Sequence, residues 1–231
     1  NVYRSGQTRS SNGIASGGFQ NSFGGLADAF LVKFNATTGS RIWATYYGGT
    51  GNFDYGWGVT ADTFGNVYLA GCTNSASGIA SGGFQNTMVG FFVPFLAKFD
   101  AATGNRIWGT YYTGTAIERY GVATDPAGNV YLAGRNGSST GVASGGFQNS
   151  YGGGSSDAFL VKFDPSGNRL WATYYGGTGN FDHGYSVATD ALNNVYLAGS
   201  TSSISGIASG GVQNTYGGPN RDAFLVKFDA A

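Results

Sequence analysis

The chain has 231 residues, of which 41% are hydrophobic, 16% aromatic and only 10% charged, and its twelve basic and twelve acidic side chains cancel. A neutral chain with no run of like charge lacks the electrostatic footprint of a nucleic-acid or anionic-membrane binder, and no stretch approaches the ~20 apolar residues of a membrane-spanning helix. The 42 glycines come with 15 Tyr, 17 Phe and 4 Trp, a combination that excludes a disordered linker and predicts a folded chain with many tight turns.

The chain opens on the strand-like "NVYRSG" without an initiating Met (Met88 is the sole methionine), which suggests a mature or trimmed piece of something longer. The segment "GIASGGFQN" (Gly13–Asn21) follows, then "DAFLVKF", a turn, "RIWATYY" and the Gly-rich "GGTGNFDYG" (Gly48–Gly56). From there the pattern returns. "NVY" begins at Asn1, Asn66, Asn129 and Asn194, and the Lys of strand "LVKF" or its equivalent falls at Lys33, Lys98, Lys162 and Lys227. One unit of about 64 residues is used three and a half times, as units 1–65, 66–128, 129–193 and a partial 194–231.

Within a unit all signals are β. The second reads "GVTAD" (Gly58–Asp62), turn, "NVYLAG" (Asn66–Gly71), a long loop, "FLAKFD" (Phe95–Asp100), turn, "RIWGTYY" (Arg106–Tyr112). Short runs rich in Val, Ile, Tyr, Phe and Trp between Gly/Asn/Asp clusters read as strands. "DPAGN" and "DPSGN" (Asp125–Asn129, Asp164–Asn168) put Pro and Gly where turns need them. We label the strands A (GVATD), B (NVYLAG), C (AFLVKF) and D (RIWATYY). Four antiparallel strands, repeated, predict an all-β chain built as a β-propeller of four-stranded blades. A parallel β-helix is the rival, but its rungs are much shorter than this repeat.

At this point the sequence resembles a known family. The run "DAFLVKFDPSGNRLWATYYGGTGNFDHGYSVATDALNNVYLAGSTSS…GIASGGVQNTYGG" is similar to the SBBP β-propeller repeat of secreted and surface proteins of Bacteroidetes and other bacteria. The resemblance covers essentially the whole chain. It implies a propeller fold and an extracellular or cell-surface setting, often within longer multidomain proteins, and it brings no catalytic residues.

The strands run BCD, ABCD, ABCD, ABC, which leaves open edges. Exposed edges invite pairing, so the expectation is that further sequence or another subunit covers them, and that the chain belongs to a larger or multi-subunit assembly. Antiparallel order places the B–C and D–A connections on one face, the usual seat of binding on a rigid scaffold. The candidate ligand residues there are Phe53, Asp54, Tyr55, Arg119, Phe181, Asp182 and His183. Asp54 and Asp182 sit in Gly-rich loops, whereas the middle copy reads "TGTAIERYG". They could touch Ca²⁺ or a sugar hydroxyl, but no loop offers the alternating oxygen ligands of a calcium site, and turn capping is the simpler reading. No cofactor is expected beyond that weak Ca²⁺ option. "GGTGN" lacks the Lys and following helix of a phosphate loop. His183, the only histidine, takes a slot held by Tyr55 and Tyr120 and has no second His or Cys cluster to share a metal. The lone Cys72 reads as an inert thiol. "NAT" at Asn35 and "NGS" at Asn136 are sequons of a kind that arises by chance.

The second B–C loop departs from its siblings. It reads "NTMVGFFVPF", with Met88, Val89, Phe91, Phe92 and Val93 at polar or Gly positions. Exposed, they form an apolar contact patch; otherwise the loop folds back onto its own blade or plugs the central channel, and the sequence leaves both readings open. In the recurrent "GIASGGFQN" the expected task is structural. Ile14, Phe19, Ile79, Phe84, Val142, Phe147, Ile207 and Val212 anchor the loop, Gly-Gly bends it, and Gln/Asn cap its backbone.

With one His and few loop carboxylates, no convergent acid–base pair emerges, so the chain reads as no enzyme. The expectation is a structural or adhesive propeller module of a surface or fibre-forming protein. Its partners would be proteins, either other copies of itself or the rest of a longer chain. The alternative is a carbohydrate- or peptide-binding module on the same loop face. Hydrolase or lyase chemistry ranks third, since fold does not dictate function.

Overall fold

β-branched and aromatic runs bounded by Gly, Asn and Asp satisfy their backbone groups and bury both sets of alternating side chains by pairing into sheets. The structure, a computed structural model, describes residues 1–114 and 119–229, and every regular element among them is a strand. In chain order these are β1 (Val2–Thr8), β2 (Asp28–Phe34), β3 (Arg41–Tyr47), β4 (Asp54–Ala61), β5 (Asn66–Thr73), β6 (Val93–Asp100) and β7 (Arg106–Tyr111). Then come β8 (Gly121–Thr124), β9 (Val130–Asn136), β10 (Asp157–Phe163), β11 (Arg169–Tyr175), β12 (Asp182–Thr189), β13 (Val195–Thr201) and β14 (Asp222–Phe228).

They form four antiparallel sheets, β1-β2-β3, β4-β5-β6-β7, β8-β9-β10-β11 and β12-β13-β14. That is the BCD, ABCD, ABCD, ABC order read from the repeats. The chain divides into two compact units, Asn1–Tyr112 and Thr113–Ala231, each holding two sheets. In the first, Ala29, Leu31, Trp43 and Tyr47 of one sheet pack against Leu69, Phe95, Ala97 and Phe99 of the other. In the second, Ala158, Leu160 and Tyr175 meet Leu197, Val187 and Phe224. Among the described residues no helix is long and apolar enough to cross a membrane.

Strand A is longer than its sequence pattern predicts. β4 and β12 begin at Asp54 and Asp182, each with a bulge, between Gly56 and Gly58 and between Gly184 and Ser186. Asp54, Tyr55, Asp182 and His183 therefore belong to strands and not to the Gly-rich loop. The bulge hides the alternation from a sequence reading, because one extra residue breaks the period of two. Residues 115–118, the divergent "TAIE" of the second D–A connection, lie outside the described residues.

The recurrent "GIASGGFQN" is a latch along the outer strand of its own sheet. Ser16 and Ala44 exchange backbone hydrogen bonds (2.8 and 2.9 Å), and the Tyr46 N–H donates to Gln20 O at 3.0 Å. Ser81 with Gly109 and Ser144 with Ala172 repeat the pattern. The Gln20 N–H also donates to Thr45 Oγ1, as Gln85 does to Thr110 and Gln148 to Thr173. The two adjacent glycines do different work. Gly17 takes φ 69°, a left-handed turn. Gly18 brings the backbone so close to strand D that a Cβ would lie 2.7 Å from Thr45 Cβ and 2.8 Å from Ala44 O. The strand D edge is thus covered from within the repeat, which removes a pairing hazard.

The anchors divide. Ile79, Val142 and Ile207 are buried and Ile14 is partly so, as expected. Phe19, Phe84, Phe147 and Val212 are largely exposed, which corrects the expectation that they are buried pegs. Phe19 reaches the neighbouring sheet instead. Its N–H donates to Gly104 O, and the Arg106 guanidinium lies 4.5 Å above its ring. Gln20 and Asn21 cap backbone carbonyls of Ser22 and Gly18 as expected.

Candidate functional site

The B–C and D–A connections meet within each unit. The N–H groups of Leu26 and Ala27 both donate to Asn52 O, and Ser155 and Ser156 do the same to Asn180 O. On this base stands an aromatic ridge. In the first unit Phe53 and Tyr55 stack at 6.0 Å, and Phe92 lies parallel to both, 6.5 and 6.3 Å away. Phe91 meets Phe92 edge-on at 5.4 Å, and Tyr55 leans on Trp57, the bulge residue of β4. Offset and edge-to-face pairs of this kind rigidify one another beyond their burial.

The divergent loop therefore does both things the sequence left open. Val93 lies in β6 and is fully buried, Phe92 is buried under the ridge, and Met88 packs partly on the core. Val89 and Phe91 project outward, Phe91 at 73% exposure, and Trp57 is exposed as well. In the second unit the equivalent ladder is Phe181, His183 and Tyr185, and the Arg221 guanidinium sits 4.7 Å over Phe181 where Phe92 sits over Phe53. Trp57, Tyr185 and Arg221 escaped the sequence reading. Only their recurrence just after Phe-Asp, and at the end of the B–C loop, could have flagged them.

Several candidate ligand residues are withdrawn from the surface. Asp54 and Asp182 are fully buried and His183 nearly so, while Phe53, Tyr55 and Phe181 are half-buried and Arg119 is exposed. Asp54 accepts from Thr73 Oγ1, Ser75 Oγ and the Gly49 N–H; Asp182 accepts from Thr201 Oγ1, Ser203 Oγ and the Gly177 N–H. A carboxylate ringed by donors is held as an internal cap and presents nothing to a cation. Among the described residues no group of three His, Cys, Asp or Glu side chains could hold a metal.

His183 shares hydrogen bonds with Ser156 Oγ, Arg135 Nη1 and Tyr185 OH, each at 3.1 Å. Burial, with the Arg135 and Arg221 charges beside it, lowers its pKa to about 4. The ring is neutral at physiological pH and fills an aromatic slot. Cys72 is buried, and burial pushes its thiol up to about 12.

A second acid lies next to each of these caps. Asp28 opens β2 in the first sheet and accepts from the Gly24 and Gly25 N–H groups; Asp157 opens β10 in the third and accepts from the Gly152 N–H. Its Oδ1 is buried without a partner, and burial, with the nearby Asp182 charge, pushes Asp157 up to about 7. Because its folded pKa lies above the ordinary carboxylate value, the stability it contributes is full below about pH 4 and lost as pH rises through about 7. His183 acts in the opposite sense, losing stability as pH falls below its ordinary range. The difference between parent and Asp157→Asn isolates the acid. The parent is expected to gain several degrees in Tm relative to that variant on going from pH 8 to pH 5. Parallel Tm curves would show that Asp157 titrates normally.

Residues 42–78 and 170–204 match the family model described as the SBBP beta-propeller repeat. These two segments of the chain are similar to SBBP beta-propeller repeats. Each matched segment runs through strands D, A and B, hence through the Gly-rich connection and the aromatic ladder. Four antiparallel sheets of three and four strands fit these SBBP repeats. Repeats of this kind point to a protein-interaction module. No curated protein matches the chain.

Proposed function

We propose that this SBBP repeat region is a non-enzymatic, extracellular structural or adhesive module acting through protein–protein contacts. The observation that carries the reading is the ridge in the first unit, where Phe91 and Trp57 stand exposed on the rigid base of Phe53, Tyr55 and Phe92, with Val89 also exposed two residues before Phe91. Rigid aromatic groups on a supported base are what interface hot spots are made of, and apolar side chains gathered in solvent mark a contact surface. The titratable groups nearby support a non-catalytic role, since Asp54, Asp182 and His183 are buried and engaged with the fold.

Burial of Phe92 and Val93 decides how to test this. Val89→Ser with Phe91→Ser removes exposed side chains only and is expected to leave Tm within about a degree or two, as surface changes do. Sedimentation velocity is expected to show concentration-dependent association of the parent and its loss in this double variant. Unchanged association would remove the ridge as the contact. Binding to a carbohydrate or peptide is the second reading, favoured by Arg221 poised over Phe181 beside Tyr185. Saturable glycan-array binding lost in Arg221→Ala would favour it.

A further inference from the structure

Where the first unit has its ridge, the second carries a chain of polar groups with a fixed direction. Arg135 Nη1 and His183 Nε2 lie 3.1 Å apart. A guanidinium can only donate, so Nε2 is the bare nitrogen and the neutral ring carries its proton on Nδ1. Nδ1 lies 3.1 Å from Tyr185 OH and therefore donates to it. Ser200 Oγ donates to the same hydroxyl at 3.2 Å. Both acceptor positions of the Tyr185 oxygen are thus filled, and its own proton is left to point away from the network. Tyr185 is 39% exposed; Trp57, at the matching bulge of β4, is 40% exposed with two further sheets following it in the chain. Exposure here belongs to the bulge itself.

Two cations flank this ladder. Burial, and then the charges of Arg135 and Arg221, hold the His183 ring neutral. Arg221 rests its guanidinium 4.7 Å over Phe181 and makes no ion pair among the described residues. The neighbouring carboxylates are turned to internal donors, Asp182 to Thr201, Ser203 and the Gly177 N–H, and Asp222 to the Gly217 N–H. The first unit has no such charge. Its matching positions hold Gln7, Tyr55, Trp57 and Cys72, with Phe92 in the place of Arg221.

We infer that the outer end of the ladder binds the carboxylate of a sugar acid: Tyr185 donates to one carboxylate oxygen, and Arg221, with Arg135, supplies the charge. A hydroxyl donating to an anion makes a hydrogen bond roughly twice as strong as a neutral one. Here the network has already oriented that donor, so binding does not bear the cost of ordering it. Ser200 decides for a sugar acid. Its proton is committed to Tyr185, so its oxygen can only accept, 3.2 Å from a hydroxyl that can only donate. A ligand that matches both groups brings an anionic acceptor and a hydroxyl donor close together, as a uronic acid does. This rests on the carbohydrate reading of Arg221 and Tyr185 given above and narrows it to acidic sugars. It is independent of the Phe91 ridge.

The test is isothermal titration calorimetry of the 231-residue chain with a galacturonate trimer, a neutral galactose trimer and N-acetyl-aspartate amide in parallel. One galacturonate trimer is expected to bind per chain, with the neutral trimer at least about tenfold weaker for loss of a charge-assisted hydrogen bond. Tyr185→Phe keeps the ring and removes the donor, and should weaken the acid by at least about tenfold. Arg221→Gln removes the charge of an exposed side chain; it should leave Tm intact and weaken the acid to a similar extent. Equal binding of the two trimers would overturn the acid and leave a carbohydrate site standing, whereas binding of neither would remove the carbohydrate reading as well. Tighter binding of N-acetyl-aspartate amide would assign the site to acidic peptides and overturn the sugar. Galacturonate binding that neither variant weakens would lie elsewhere on the chain and overturn the inference too.

Discussion

Tyr47→Ala is expected to destabilise the unit Asn1–Tyr112 by about 3–5 kcal/mol, the range for deleting a buried aromatic ring. Tyr47 ends strand D of the first sheet yet sits fully buried between the two sheets, 5.3 Å from Phe95 and 5.3 Å from Phe99. Its hydroxyl donates to Ile79 O in the latch of the neighbouring sheet. Burial pushes its pKa up to about 12, so it remains a donor throughout the working pH range. Tyr47→Phe separates the two contributions. It keeps the ring, and Ile79 O retains the Arg106 guanidinium at 2.8 Å, so the loss should be only about 1 kcal/mol. Urea unfolding monitored by tryptophan fluorescence measures both, with separate unfolding of the two units allowed for in the fit. Equal losses for Phe and Ala would mean that the hydroxyl, not the packing, joins the sheets.

Tyr47 also shows where sequence reasoning reaches its limit. The strand "RIWATYY" is legible from its β-branched and aromatic content, and the repeat puts it outermost in the sheet. The partner across the interface is not legible, because the contact joins Tyr47 to Ile79, in a different repeat. The same holds for the latch. Apolar Ile79 and bending glycines are visible in "GIASGGFQN", but its pairing with strand D depends on backbone groups that every residue has. Nothing in residue type separates the buried Ile79 from the exposed Phe84 five positions on. The aromatic ridge fell between these cases. Phe91 and Phe92 stood out against polar sibling loops, yet one faces solvent and the other the ridge, a difference set by the backbone bend at which both sit. The bulges at Trp57 and Tyr185 shifted strand A by several residues and carried Asp54 from an apparent loop into a buried strand end.

That relocation carries the second large effect. Asp54→Ala is expected to lower stability by about 3 kcal/mol, since it leaves several buried donors without an acceptor at roughly 1–3 kcal/mol each before relaxation. The donors are Thr73 Oγ1, Ser75 Oγ and the Gly49 N–H, and they tie the Gly-rich connection to β5 and the loop that follows it. Burial outweighs these hydrogen bonds and pushes the Asp54 pKa up to about 6. A folded pKa above the unfolded one contributes stability that is full below about pH 4 and is lost as pH rises through about 6. The Ala variant should therefore fall further below the parent at pH 5 than at pH 8. Asp54→Asn, which keeps one acceptor oxygen and likewise cannot ionise, should lie between the two, with its gap to the parent changing with pH as the Ala variant's does. Thermal unfolding at both pH values, with amide exchange at Gly49, separates the three proteins. If Asp54→Ala were as stable as the parent and Gly49 as protected, the fold would not need the carboxylate, and ligand contact would again be the better explanation for an aspartate at this position.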